Sequence, residues 1–388
     1  MNEAQALFAL LRQVVCGEEL DMSVKDQISP DVMSALFRLA TPHDLVHIVG
    51  QGLKKLEYDP ENPTFQNCYL KTRQAIFRYA RIAHDYEQIC AVLEKAQLRY
   101  LPLKGSVLRD WYPEPWMRTS SDIDILVAES DLYRAAETLV QQLHFTQGAK
   151  GHHDISMVSP NKTHLELHFT VDNMDHSNQE QEVLLQVWKE ATPMDGAQYG
   201  CKLSDEMFYF YHITHMAKHL QDAECGIRPF LDLWILNHRV PHNRGAREAL
   251  LEKGGMLQFA QAAQSLSEVW FSNAAPSPLT QRLEAFVLQH GTDASKANYV
   301  ALKQRKQGGR LRFLLNRIFP PFQTMSYYYP VLQKKPWLLP VCMVRRWCRL
   351  LFTSDAKRTV QTVKTNATLS AQEVSAAAEL MQQLGLQK

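Results

Sequence analysis

Apolar residues along this chain change rhythm twice. From residue 3 to about 96 they recur every three or four positions. This holds in 3–16 (EAQALFALLRQVVC), in Pro30 to Lys55 with a break near Thr41-Pro42, and in Thr64 to Ala96. That spacing predicts amphipathic helices, and the aromatics Tyr69, Tyr79 and Tyr86 of the third stretch read as core. Asp59-Pro60-Glu61-Asn62-Pro63 reads as a loop between helices. From Arg99 the period shortens to two. Arg99 to Leu103 is a candidate strand ending at Gly105-Ser106, followed by a short helix (Val107 to Trp111) and a loop bounded by Pro113 and Pro115. Asp122-Ile123-Asp124-Ile125-Leu126-Val127 predicts a second strand, and Ser130 to Leu143 a helix with Ser130 as N-cap.

Asp154 to Val158 and Thr163 to Thr170 flank Ser159-Pro160-Asn161-Lys162 as a hairpin would. In HLELHFT the alternation sets Leu165, Leu167 and Phe169 on one face and His164, Glu166 and His168 on the other. Strand, helix, strand, helix and hairpin make a small α/β unit. From Asp205 the helical period returns, and Ser370-Ala371-Gln372-Glu373 is a capping box opening a last helix to about Leu384. The expected division is a helical region (1–96), an α/β core (97–172), a helical region closing the cleft (173–300) and a C-terminal helical region (301–388).

Composition fits that outline. With 388 residues, 45% of them hydrophobic and 21% charged, the chain has material for a sizeable core. No apolar run approaches the roughly 20 residues that cross a bilayer, and no basic leader opens the sequence. Its seven cysteines are scattered without CxxC pairs, which suits reduced thiols in a cytoplasm better than a disulfide framework or zinc.

The net charge of +1 hides an asymmetry. Between Lys303 and Arg358 stand 13 Lys/Arg and a single acid, Asp355, so that segment carries +12 and the remainder −11. Aromatics are interleaved there (Phe313, Phe319, Phe322, Tyr327 to Tyr329, Trp337, Trp347). Three readings suit such a segment: a peripheral anionic membrane surface, a nucleic acid or other polyanion, or a solvated face against the acidic remainder.

The candidate chemistry centres on Lys104 to Val127. On a strand, Asp122 and Asp124 point the same way, about 6.5–7 Å apart, while Ile123 and Ile125 enter the core. Two such carboxylates can converge on one Mg²⁺, or on two ions about 3.5–4 Å apart, beside a triphosphate. His212, His215 and His219 share a helical face, and His215/His219 have the spacing zinc sites use. Without HExxH they fit better as structural histidines, or as a cleft-lining face where His215, Lys218 or His219 meets nucleotide or acceptor. Asp232 and Arg228 read as an intrahelical pair, and His152 and His153 as exposed.

The ordered set Lys104-Gly105, Arg118, Asp122-Ile123-Asp124-Ile125-Leu126 and Glu166-Leu167-His168 resembles the DNA polymerase β-like nucleotidyltransferase superfamily. Within it the closest likeness is to a poorly characterised bacterial nucleotidyltransferase family. Flanking stretches extend the likeness: LFRLATPHDLVHIVGQGL (36–53), HITHMAKHL (212–220), IRPFLDLWIL (227–236) and YPVLQKKPWLLP (329–340). The resemblance implies an α/β fold with a small mixed sheet, framed by helical regions. It further implies that Asp122, Asp124 and Glu166 bind Mg²⁺ or Mn²⁺ and that an NTP, ATP among the candidates, gives up its nucleoside monophosphate. The acceptor is open: a small molecule, sugar, peptide, protein or RNA. In that scheme Gly105 admits a phosphate close to the backbone, Ser106 donates to it, and Lys104 and Arg118 supply positive charge. The contrasting reading is a non-catalytic scaffold or membrane-associated binding module on the same fold. The expected location is cytoplasmic, with the inner membrane surface open through 303–358.

Overall fold

The computed structural model describes residues 1–151, 153–171, 179–352 and 355–386. They form a mostly helical chain with a five-stranded mixed sheet in its N-terminal half. The α/β core framed by helices is therefore present as expected. The chain divides into two compact units, one of residues 1–216 and 226–280, the other of 217–225 and 281–388.

The first unit opens with helices α1 (Glu3–Leu11), α2 (Pro30–Ala40), α3 (Val46–Lys55) and α4 (Pro63–Lys95). α4 starts where Asn62 accepts hydrogen bonds from the Thr64 and Phe65 amides and Pro63 takes the first helical position. Strand β1 (Tyr100–Pro102), the one-turn helix α5 (Gly105–Leu108), β2 (Asp122–Val127), α6 (Leu132–Leu143), β3 (Thr146–Lys150), β4 (Asp154–Val158) and β5 (His164–His168) follow. The sheet order is β1-β2-β5-β4-β3, antiparallel except for the central β2–β5 pair, which is parallel.

Strand alternation divides the sheet chemically. Ile123, Ile125, Val127, Leu165, Leu167, Ile155 and Met157 all point to one face, where they bury against Ile82, Ile89 and Leu93 of α4 and Leu132, Ala135 and Leu139 of α6. The other face of β2 and β5 carries Asp122, Asp124, Glu166 and His168, together with His164 and buried Leu126. Beyond the sheet come α7 (Asp205–Gln221), α8 (Arg228–His238) and α9 (Leu257–Phe271). α8 and α9 pack through Phe230 against Trp270, ring centroids 5.1 Å apart.

The second unit includes helices α10 (Asp293–Lys306), α11 (Arg310–Ile318), α12 (Leu339–Phe352) and α13 (Ala371–Gln383). α13 begins with the expected capping box: Ser370 Oγ accepts from the Glu373 amide, and the Glu373 carboxylate accepts from the Ser370 amide. Among the described residues no helix is long and apolar enough to cross a membrane. None of the seven cysteines is in a disulfide.

Two expectations need correction. Ser130 does not cap α6; it lies inside a 3₁₀ turn (Glu129–Asp131), and the helix starts at Leu132 with no side-chain cap. β3 was not anticipated, because Thr-Gln-Gly-Ala-Lys has no apolar alternation. It is an edge strand whose register shifts between Gln147 and Lys150, so its ladder with β4 rather than its side chains defines it.

Candidate functional site

The acidic face is built by register. β2 and β5 run parallel with Asp122 opposite His164 and Asp124 opposite Glu166. Neighbouring strands lie about 4.8 Å apart and same-face residues about 6.5–7 Å apart along a strand, so three carboxylates share one small area. His168, one same-face step beyond Glu166, swings its ring back between them. Its Nε2 donates to Asp124 Oδ1 at 2.9 Å and lies 3.3 Å from Glu166 Oε2.

Lys104 reaches the same oxygen from β1. The Leu103 amide donates to the Asp124 carbonyl at 3.0 Å, which pins the strand end beside Asp124. The next residue turns sharply: Lys104 has φ 47° and ψ −121°, a conformation rarely held by a residue with a side chain. Such a residue costs about 1–3 kcal/mol and persists where its surroundings over-determine it. Here the result is an ammonium 2.8 Å from Asp124 Oδ1.

Burial and pairing set the charges. Asp124 is 4% exposed, and burial alone would disfavour its ionised form, but the His168 bond and the Lys104 ammonium hold it well below the usual carboxylate range. Glu166 is lowered chiefly by the His168 bond. Asp122 goes the other way, raised by burial and by repulsion from Asp124 and Glu166. It makes no close ion pair among the described residues. Burial works against charge on Lys104 and His168, but the electrostatics of Tyr211 and Asp124 keep Lys104 raised, and bonds to Asp124 and Glu166 keep His168 raised.

Asp124, Glu166 and His168 offer ligand atoms within 4.8 Å of one another. The 2.9 and 3.3 Å separations are those of protonated His168, whose Nε2 could serve as a ligand only after giving up its proton. Asp122 lies on the same face but outside that group of three; the group's own two carboxylates already suit a hard divalent cation such as Mg²⁺ or Mn²⁺. The residues present therefore fit a metal.

The loop between α5 and β2 is fixed from beneath. Arg109 is buried and donates from Nε to the Gly105 carbonyl (2.8 Å) and from Nη2 to Ser120 Oγ (3.0 Å). A Cβ on Gly105 would come within 3.3 Å of the Ser120 Cβ and 3.6 Å of Arg118 Nη1, so the loop packs directly on the glycine. Arg118 itself donates through Nε to both oxygens of Asp232 (2.7 and 2.9 Å) and through Nη1 to the Thr119 carbonyl (2.7 Å). Asp232, fully buried on α8, also accepts from the Tyr112 hydroxyl at 2.7 Å. Burial opposes its charge, yet Arg118 and His212 hold it below the usual range.

Arg228, expected to pair with Asp232 along its helix, instead donates to Asp44 at 2.9 Å, and Thr119 Oγ1 donates to the same carboxylate at 2.6 Å. The intrahelical reading fails because Asp232 points inward to a guanidinium that is far off in sequence. Arg118, expected at phosphate, is set between Asp232 and Thr119 with its side chain 10% exposed.

Of the remaining predicted positions, Ser106 is half-buried in the single turn of α5. His215 is half-buried on α7 with its ring 6.1 Å from that of Tyr211, the neighbour of Lys104. Lys218 is exposed, and His219 lies 4.0 Å from Glu224; both belong to the second unit. His212 is buried, its Nε2 donating to the Pro229 carbonyl at 3.0 Å. His152 lies outside the described residues. His153, expected to be exposed, is partly buried and stacks on the His168 ring at 5.4 Å. The residue that sequence reasoning left without a role is His168. Its signal was present: alternation puts it on the Glu166 face.

The family described as uncharacterised nucleotidyltransferase matches residues 30–272, more than half of the chain. The chain belongs to that family. The matched span includes the acidic face, the Arg118–Asp232 network and α9 of this nucleotidyltransferase family member. No curated protein and no solved structure matches the chain.

Proposed function

We propose that the chain is an active nucleotidyltransferase that moves a nucleoside monophosphate from an NTP to an acceptor hydroxyl or phosphate. The acceptor oxygen attacks the α-phosphorus, the bond from that phosphorus to the bridging oxygen breaks, and pyrophosphate leaves with the electron pair. The observation that carries the reading is the in-register pair Asp124–Glu166, with Asp122 on the same face and His168 between the acids. Asp122, Asp124 and Glu166, with His168, would hold Mg²⁺ or Mn²⁺. When bound, the metal would neutralise triphosphate charge and lower the barrier to in-line displacement.

The chain's own residues supply the rest. Lys104 is a fixed cation at the mouth of the acidic face and can pass from Asp124 to a phosphate oxygen. Gly105 and Ser106 offer backbone and hydroxyl donors beside it. Asp122, without a close ion pair, is the carboxylate left to take the proton of an acceptor hydroxyl. Arg118, tied to Asp232, holds the loop over Gly105. His215, on α7, extends the same side through Tyr211 as a further candidate for nucleotide or acceptor.

A second reading has one observation in its favour. Lys104 and His168 already share one oxygen of Asp124, so internal cations could satisfy the acids in a non-catalytic binding module. Turnover separates the two. With Mg²⁺ or Mn²⁺ and a candidate acceptor, the active enzyme releases pyrophosphate from one NTP, and Asp122→Asn/Asp124→Asn abolishes release. Metal-independent nucleotide binding without release under any of these conditions would favour the module.

A further inference from the structure

Of the eighteen large hydrophobic side chains exposed among the described residues, ten lie between Leu311 and Val344. They are ordered. On α11, Leu311 (70% exposed), Leu315 and Ile318 recur at i, i+4 and i+7, so one stripe of the helix stands in water. On α12, Val341 (63% exposed) and Val344 do the same, and Trp337 (73% exposed) sits in the turn that leads into that helix. Both helices are anchored by other faces. Phe313 enters a cluster with Val300, Leu369 and Ala377, and Cys342 one with Met325 and Leu332. The unit thus has its core, and the outward stripes are additional.

The charge is equally one-sided. Residues 303–349 hold eleven Lys/Arg and no Asp or Glu. Lys303 is neutralised by Asp222 at 2.7 Å. Arg317 of α11 and Arg346 of α12 approach closely enough to oppose each other: burial first, then Arg317 and Arg349, push Arg346 below its usual range. Arg317 Nε and Arg346 Nη1 are both buried without a hydrogen-bond acceptor. The two helices meet where Trp347 Nε1 donates to the Ile318 carbonyl at 2.9 Å. A desolvated guanidinium N–H lacking an acceptor is costly, so this pair suits an anion from outside the chain.

We propose that this surface of the second unit docks on an anionic phospholipid bilayer. Headgroup phosphates would meet Arg317 and Arg346, and the Leu311 and Val341 stripes with Trp337 would enter the interfacial layer. A second copy of the chain is disfavoured because it would set the arginines of α11 and α12 against their own counterparts. Nucleic acid would use the arginines but gives the aliphatic stripes nothing to bury against. The bilayer alone uses both features.

The test is co-sedimentation of the full chain with phosphatidylcholine vesicles, with and without phosphatidylglycerol. Binding is expected only to the anionic vesicles and weakens with salt. Arg317→Gln and Arg346→Gln each weaken it about fivefold. Leu311→Ser with Val341→Ser weakens it about tenfold or more while leaving the salt dependence in place. Bromine-labelled acyl chains quench a fluorescence component that Trp337→Phe removes. Circular dichroism and thermal melts establish that these variants fold. The proposal is overturned if anionic vesicles do not bind, or if the apolar variants bind them like wild type. Tighter binding of single-stranded RNA than of vesicles, or binding of inorganic phosphate alone, would also overturn it.

Discussion

The acidic face of the sheet and the arginine-rich helices of the C-terminal unit handle charge in opposite ways. On the sheet, buried Asp124 has Lys104 at 2.8 Å and His168 at 2.9 Å, and beneath the neighbouring loop buried Asp232 has Arg118 at 2.7 Å. Each of these carboxylates is matched by a cation from a distant part of the sequence, so charge there specifies the fold. Between residues 303 and 349 no acid occurs, and Arg317 and Arg346 stand near each other with N–H groups lacking acceptors. At that pair the chain supplies no acceptor for those two N–H groups. Internal compensation fixes a site in place; uncompensated charge beside exposed apolar stripes advertises a surface.

Breaking the internal pairing should have the largest effect. Asp232→Ala leaves Arg118 and the Tyr112 hydroxyl buried without their acceptor, and removing one partner of a buried pair costs about 3–5 kcal/mol. Chemical denaturation of the first unit would measure it; a loss under about 1 kcal/mol would mean the network is dispensable. Next comes ligand binding. His168→Ala removes the ring between Asp124 and Glu166 and is expected to weaken Mn²⁺ binding at least tenfold. Unchanged affinity would remove the metal from this face.

Acid sharpens the comparison further. Asp232 is held below the ordinary aspartate value of 3.8, so it binds fewer protons folded than unfolded. Its contribution is present above that value and is lost as pH falls below it. Stability of the wild type should therefore drop in that window more steeply than that of Asp232→Asn, which has no proton to gain. Parallel slopes would contradict the assignment. The smallest effect is expected on the other side of the comparison. Arg346→Gln relieves repulsion without removing an internal partner, so folding stability should stay within about 0.5 kcal/mol of wild type or rise slightly. A large loss would show that Arg346 has a structural partner after all.

Much of the first contrast was legible in the sequence. Alternation in Asp122–Val127 and Thr163–Thr170 gave both strands and their faces, because a period of two is local information; that Glu166 joins the two aspartates was implied by the family resemblance. Helical periodicity gave α2, the end of α3 and both ends of α4 to within a residue, but not where α3 starts. What escaped reading depended on long-range pairing. Arg118 and Asp232 are separated by more than a hundred positions, and neither neighbourhood hints at the other, so Asp232 read as a partner of nearby Arg228. β3 has no apolar pattern and exists through its ladder with β4. Lys104 was visible as a cation, but its turn conformation and its bond to Asp124 follow from how β1 ends against β2. His168 was on the correct face and was passed over because the carboxylates accounted for the motif. The basic segment was visible as composition, while the separation of its apolar stripes from its buried anchors needed the helices in place.

The central claim is that the acidic face takes a metal-bound NTP. Its most direct test is calorimetric titration of each common NTP, with and without Mg²⁺ or Mn²⁺, into wild type and Asp122→Asn/Asp124→Asn. The account predicts that one NTP binds only with metal and that the double variant loses that binding while keeping its fold. Equal NTP binding by the variant, or no metal-dependent binding of any NTP by the wild type, would contradict it.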